Sequence, residues 1–341
     1  MDAIANISGY QITEQLYTGT RTLVYRAIRT SDKYPVVIKL LRNEFPNFSE
    51  LVGFRNQYTI AKNLDLPSII KPLTLEVYGN SYALVMEDFG GISLSTYIKT
   101  KIDQNQPSNY LSLKVFNLAL QLADILDYLY QNRVIHKDIK PANILINPET
   151  KQVKLIDFSI SSLLPRETQE IQNPNILEGT LAYLSPEQTG RMNRGIDYRS
   201  DFYALGVTFY ELLTGKLPFM SDDPMELVHF HLAKQPIAIH TIKSEIPLIL
   251  SQIVGKLMAK NAENRYQSAL GLKHDLEICL VQLQATDKIK DFELGKRDLS
   301  DRFLIPEKLY GRESEVETLL QAFERVSTGS TEMMLVAGFS G

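Results

Sequence analysis

The feature that most constrains this chain is a polar run set between apolar ones, His136-Lys137-Asp138-Ile139-Lys140-Pro141-Ala142-Asn143, followed downstream by Val153-Lys154-Leu155-Ile156 and then Asp157-Phe158. Charged side chains are mostly exposed, so Asp138 or Asp157 alone reads as a turn or cap residue. Lys39 alone, closing the apolar run Val36-Val37-Ile38, reads as an exposed strand-end lysine. Their joint occurrence, in order and beside short β-branched segments, reverses that reading and asks for a common site.

The surrounding texture says where such a site would lie. From Tyr10 to about Val85 the apolar residues fall in short runs such as Thr22-Leu23-Val24-Tyr25, separated by polar turns, which predicts a small strand-rich lobe. One helix interrupts it, over Phe48–Asn63, where Leu51, Phe54, Tyr58 and Ala61 recur at spacings of three and four. After Gly90-Gly91 the pattern turns helical. Val115, Leu118, Leu122, Leu126 and Leu129 form one stripe, and Ser200–Leu213 and Ile246–Met258 are also helix-like. The expected class is α+β, with two lobes, a glycine-containing joint and a ligand cleft between them.

With 341 residues the chain can bury a substantial core, and its 44% apolar and 22% charged content is that of a folded globular protein. A net charge of −4 and no long basic block give no reason to expect nucleic acid or anionic lipid as a partner. The single cysteine, Cys279, allows no intramolecular disulfide and no cysteine zinc cluster, which points to a reducing, cytoplasmic setting. Residues Met1–Gly9 lack a secretory pattern. The apolar stretch Leu111–Tyr130 carries Lys114, Asp124 and Asp127, so it is expected as a core helix and not a membrane span.

Phosphoryl transfer needs positioning and charge neutralisation more than covalent chemistry. A site for it has a cation for the phosphates, oxygen ligands for Mg²⁺ and a carboxylate near the incoming hydroxyl. Lys39, Asp138 with Asn143, and Asp157 occur in that order. Further marks accompany them: Gly179-Thr180, Ser185-Pro186-Glu187, Asp201 through Gly206, Leu217-Pro218-Phe219 and Arg265.

On these residues the stretch from 10 to about 285 resembles the eukaryotic-type serine/threonine protein kinase family. The resemblance implies a bilobal kinase fold over 9–285, with a β-rich lobe over about 9–88 and a helical lobe over about 89–285. It implies that Lys39 binds the α and β phosphates of ATP, that Asp157 and Asn143 hold Mg²⁺, that Asp138 orients the substrate hydroxyl and that Lys140 steadies the γ-phosphate. Leu16, Gly19, Val24, Val37 and Leu145 would enclose the nucleotide, with Met86 as gatekeeper and main-chain bonds at Glu87 and Phe89. Glu187 and Arg265 would form a buried ion pair. Lys140 and Thr180 resemble serine/threonine and not tyrosine kinases, so the expected partner is a protein bearing Ser or Thr.

Several positions depart from the family pattern. Only Gly19 remains of the glycine-rich loop in Tyr17-Thr18-Gly19-Thr20-Arg21-Thr22, where glycine lets backbone approach phosphate. The glutamate expected to pair with Lys39 is Gln57, and Glu50 lies two turns earlier. Lys137 replaces an arginine that reads a loop phosphate bidentately, which weighs against control by phosphorylation of that loop. Ser159 replaces a glycine and Val37 an alanine. Thr168, Ser161 and Ser162 are candidate phosphorylation sites in the activation segment. The competing reading is a pseudokinase, a nucleotide-binding scaffold; a small-molecule phosphotransferase is a distant third.

Beyond the kinase stretch, residues 286–308 read as a linker. An amphipathic helix is expected around Val316, Leu319, Leu320, Phe323 and Val326, then a strand over Met333–Ala337 and Gly338-Phe339-Ser340-Gly341. Residues 309–341 resemble the truncated start of an AAA-type P-loop ATPase module. That order resembles the N-terminal part of bacterial, notably cyanobacterial, hybrid proteins, which would attach ATPase, GAF and histidine kinase domains as partners.

Overall fold

The computed structural model describes residues 7–103, 113–163, 179–192, 194–299, 311–327 and 331–335. Two compact units are present, 1–301 and 302–341.

Five strands build the small lobe: β1 Tyr10–Thr18, β2 Thr22–Arg29, β3 Pro35–Leu41, β4 Pro72–Tyr78 and β5 Ser81–Glu87. They form one antiparallel sheet in the order β1-β2-β3-β5-β4. The β-branched run of β3 is central, so alternation sends Val36, Ile38 and Leu40 into the core with Tyr25, Ala27, Ala83 and Val85. The opposite face carries Val37, Lys39 and, from the neighbouring strand, Met86. A one-residue slip would exchange these sets, so the buried core fixes Lys39 on the cleft side.

Helix α1, Phe48–Lys62, packs on this sheet. Its start is a capping box: Asn47 Oδ1 accepts from Glu50 N at 3.0 Å and Glu50 Oε2 accepts from Asn47 N at 2.9 Å. Glu50 is thereby committed to the helix end, which removes it as a partner for Lys39.

The large lobe contains β6 Ile92–Ser93, α2 Leu94–Asp103, α3 Leu113–Gln131, β7 Ile144–Ile146 and β8 Val153–Leu155. There follow α4 Arg199–Thr214, α5 Pro224–Leu232, α6 Ile239–Ile242, α7 Leu248–Leu257 and α8 Ala269–Thr286. Leu118, Leu122, Leu126 and Leu129 of the expected stripe are all buried. Helix α4 is buried along nearly its whole length, Glu211 excepted, and serves as the post on which the catalytic segments hang. Strands β6, β7 and β8 make a small sheet under the cleft.

Residues after α8, read from the sequence as linker, return to this lobe. Asp298 accepts from the N–H groups of Gln267 and Ser268, and Gly295 N donates to Asp275 Oδ2 at 2.9 Å. In the second unit the amphipathic pattern forms α9, Glu313–Ser327. The strand expected from Met333 does not form over 333–335, and Gly338–Gly341 lie outside the described residues. Among the described residues no helix is long and apolar enough to cross a membrane.

Candidate active site

Asp201, near the start of α4, sets the catalytic loop. Its two carboxylate oxygens accept from the main-chain N–H groups of His136 and Lys137, both at 2.8 Å. Lys137 has a positive φ of 68°, so the chain bends sharply there and turns Asp138 towards the cleft. His136 is fully buried, its ring edge-on to Phe158 at 4.8 Å and its Nε2 3.1 Å from Ile156 O. Burial lowers its pKa. It is a packing residue that joins the two motifs.

Asp138 gathers the polar groups. Lys140 Nζ donates to Oδ2 at 2.6 Å and to Thr180 Oγ1 at 2.5 Å. Thr180 donates through Oγ1 to Oδ1 at 3.0 Å. Asn143 Nδ2 donates to Oδ2 and to the main-chain oxygen of Asp138, both at 2.9 Å. Since the amide nitrogen of Asn143 is spent on Asp138, its oxygen remains the atom for a metal.

Lys39 stands between two side chains: its Nζ is 2.9 Å from Gln57 Oε1 and 3.0 Å from Asp157 Oδ2. Burial alone would raise the Asp157 pKa, but the charge and hydrogen bond of Lys39, helped by Ser159, outweigh this and hold it at about 2. Asp157 Oδ1 is buried with no hydrogen-bond partner among the described residues. An ionised, buried and unpartnered carboxylate oxygen is costly unless a cation meets it, so the site fits Mg²⁺.

Four of the residues expected to enclose the nucleotide lie together. Val37, Met86, Phe89 and Leu145 belong to one apolar cluster, and Val24 lies opposite Lys39 in the β2–β3 register. The Glu87 carboxylate turns away to Lys154 at 2.5 Å and to Lys71 N at 3.0 Å. Arg26 on β2 ties the joint by donating to Asp88 Oδ2 at 2.7 Å. Leu16 is exposed at the mouth.

At the loop between β1 and β2, Gly19 N donates to Thr22 O at 2.9 Å. The ring of Tyr17 occupies the space that a Cβ at position 19 would need, 2.6–2.9 Å away. The crowding comes from the outer end of an exposed side chain, and the φ of Gly19 is not positive. Ser159 likewise does not have a positive φ; that strain falls on Asp157, with φ 67°. Glycine's freedom is not needed at 159 in this conformation.

Arg265 and Glu187 form the expected ion pair through two parallel bonds of 2.6 and 2.8 Å, and Ser200 Oγ adds a third contact to Glu187 at 2.6 Å. Burial raises and these partners lower the Glu187 pKa, and the lowering wins. Ser161 is buried and its Oγ donates to His136 O at 3.1 Å, which removes it as an accessible modification site. Thr168 lies outside the described residues. The sequence reading did not single out Asn56, whose Nδ2 reaches Ser159 O at 3.0 Å and Ser161 O at 2.9 Å. A mid-helix asparagine carries no signal beyond its polarity.

Residues 10–276 match the model of the protein kinase domain. The chain belongs to the protein kinase family. Among curated relatives of this kinase, the hybrid signal transduction histidine kinase G of Dictyostelium discoideum is 34% identical, over 66% of this chain and 9% of the relative. The serine/threonine-protein kinase PrkC of Bacillus subtilis is 32% identical, over 80% of this chain and 40% of the relative. The serine/threonine-protein kinase PknB of Mycobacterium leprae is 33% identical, over 78% and 42%. The chain thus spans less than half the length of each of these relatives.

Proposed function

We propose that this chain is the serine/threonine kinase module of a larger cytoplasmic signalling protein, transferring the γ-phosphate of Mg²⁺-ATP to Ser or Thr hydroxyls of a protein. The observation that carries this reading is the cluster on Asp138, where one carboxylate meets Lys140, Thr180 and Asn143 at 2.6–3.0 Å. A substrate hydroxyl that takes the place of Thr180 Oγ1 on Oδ1 would be oriented for in-line attack. The bond from that oxygen to Pγ forms, the bond from Pγ to the β–γ bridging oxygen breaks, and Asp138 receives the hydroxyl proton. Lys140, within reach of both Asp138 and Thr180, can turn to the γ-phosphate, while Lys39 neutralises the α and β phosphates. Mg²⁺, when bound through Asp157 and Asn143, supplies charge neutralisation at the phosphates.

Phosphoamino-acid analysis after incubation with Mg²⁺-ATP and a mixed protein acceptor tests the assignment. Phosphoserine or phosphothreonine is expected. Phosphotyrosine alone would overturn it.

A second reading, a nucleotide-binding scaffold without turnover, is favoured by two observations: the neutral Gln57 beside Lys39 and the Tyr17 ring over Gly19. Mg²⁺-dependent thermal stabilisation by ATP without transfer would select it. The 34% identity to a hybrid signal transduction histidine kinase supports a multidomain setting. The AAA-type ATPase start read from 309–341 and attached GAF and histidine kinase domains are part of this proposal and rest on the sequence resemblance.

A further inference from the structure

We infer that Asn56 is a positioning residue for phosphoryl transfer, an amide hook through which α1 holds the start of the activation segment and with it Asp157. The inference rests on the kinase reading above. Asn56 Nδ2 lies 3.4 Å from Phe158 O, 3.0 Å from Ser159 O and 2.9 Å from Ser161 O, so three main-chain oxygens converge on one nitrogen. Only a donor satisfies that arrangement, which fixes the orientation of the amide. One turn earlier, the helix faces the same segment: a Cβ at Gly53 would meet Ser159 Cβ at 3.6 Å, an ordinary van der Waals contact.

Asn56 and Gln57 are adjacent, so α1 aims them in different directions. Gln57 takes Lys39, Lys39 takes Asp157, and Asp157 leads into the segment that Asn56 holds. The result is a closed ring of contacts in which the metal carboxylate is held from both sides. A glutamate at 57 would give that ring a charge-assisted bond to Lys39. Glutamine gives a neutral acceptor, and a larger share of the work of keeping α1 against Asp157 passes to Asn56. The positive φ of Asp157 makes this external support necessary, because a non-glycine residue leaves that region unless its surroundings hold it.

The test compares wild type with Asn56→Asp, which turns a carboxylate onto three carbonyls, Asn56→Leu, which keeps the volume without a donor, and Asn56→Gln, which restores one. Two readouts are taken on the full chain. The first is hydrogen exchange at Ser161 and Ser162, whose amides bond to Phe158 O and Ile135 O, with α4 as the folding control. The second is the Mg²⁺ and ATP dependence of phosphate transfer. The Asp and Leu variants are expected to exchange at least about tenfold faster at Ser161 and Ser162 with α4 unchanged. They should need several-fold more Mg²⁺ and lose about tenfold or more in kcat/KM for ATP at an unchanged KM for the protein acceptor, with Gln recovering part of both losses. Exchange at Ser161 and Ser162 within twofold of wild type in both variants, or an equal rise in α4, would overturn the hook. Exchange needs no turnover, so an inactive wild type sinks the kinase reading and leaves the exchange result to decide on Asn56.

Discussion

Lys39 Nζ lies 2.9 Å from Gln57 Oε1, a neutral contact at the place where a carboxylate would make an ion pair. Both residues are buried. The ammonium therefore depends on Asp157, 3.0 Å away, for its charge partner. This pairing links α1 to the start of the activation segment and, on the proposed function, bears on nucleotide binding.

Restoring the carboxylate is expected to help. Gln57→Glu should raise kcat/KM for ATP by roughly 3- to 10-fold, since a charged hydrogen bond exceeds a neutral one by about 1 kcal/mol. Gln57→Leu, which leaves Lys39 with Asp157 alone, should lower it by at least about tenfold. Steady-state kinetics with varied ATP measure both.

The ion pair between Arg265 and Glu187 is almost wholly buried, with side-chain exposures of 0% and 4%. Arg265→Met would leave the Glu187 carboxylate without its cation. The expected loss is about 3–5 kcal/mol of unfolding free energy, read from urea denaturation. Glu187→Gln, which keeps shape and one acceptor, should lose less.

Asp298 braces the approach to a helix from beyond the helix's end. It accepts from Gln267 N at 2.9 Å, from Ser268 N at 2.9 Å and from Ser268 Oγ at 3.2 Å, at the N-terminus of α8, while Lys256 stands 3.5 Å away. Asp298→Ala should cost about 1–2 kcal/mol, comparable to losing a buried acceptor of main-chain N–H groups. A chain ended at residue 290 should show the same loss in its thermal midpoint.

His231 lies beneath the substrate-facing loop, its Nδ1 2.9 Å from the Tyr203 hydroxyl. Burial first, and the charge of Lys260 next, push its pKa down to about 4. The unfolded chain takes up that proton near 6.5, so between 6.5 and 4 it binds more protons than the native state does. The stability that goes with a neutral His231 is present above 6.5 and is lost as pH falls through that window. Wild type should therefore lose roughly 1–2 kcal/mol more than His231→Phe between pH 7 and pH 5, as read from urea midpoints in both proteins.

The parts of the fold carried by periodicity were legible. Leu118, Leu122, Leu126 and Leu129 mark α3 because one helical face must be buried, and Val36-Val37-Ile38 mark β3 because a central strand is apolar on both faces. Lys39, Asp138, Asn143 and Asp157 could be read as a group because phosphoryl transfer needs those donor types in one place. What the sequence hid were contacts made by ordinary polar residues through long loops. Asn56 meets carbonyls about a hundred residues away, and Asp298 binds main-chain N–H groups about thirty residues before it. Neither asparagine in a helix nor aspartate in a polar stretch signals its partner, because main-chain acceptors and donors are present everywhere. The strand expected from Met333 shows the converse: over 333–335 a short apolar run forms no strand among the described residues.

Transfer of labelled γ-phosphate by wild type and by Asp138→Asn, at saturating Mg²⁺-ATP, tests the central claim most directly. The expected result is incorporation by wild type and at least about a hundredfold slower incorporation by Asp138→Asn, with Mg²⁺-ATP binding retained by both. Equal incorporation by the two proteins, or none by wild type, would contradict it.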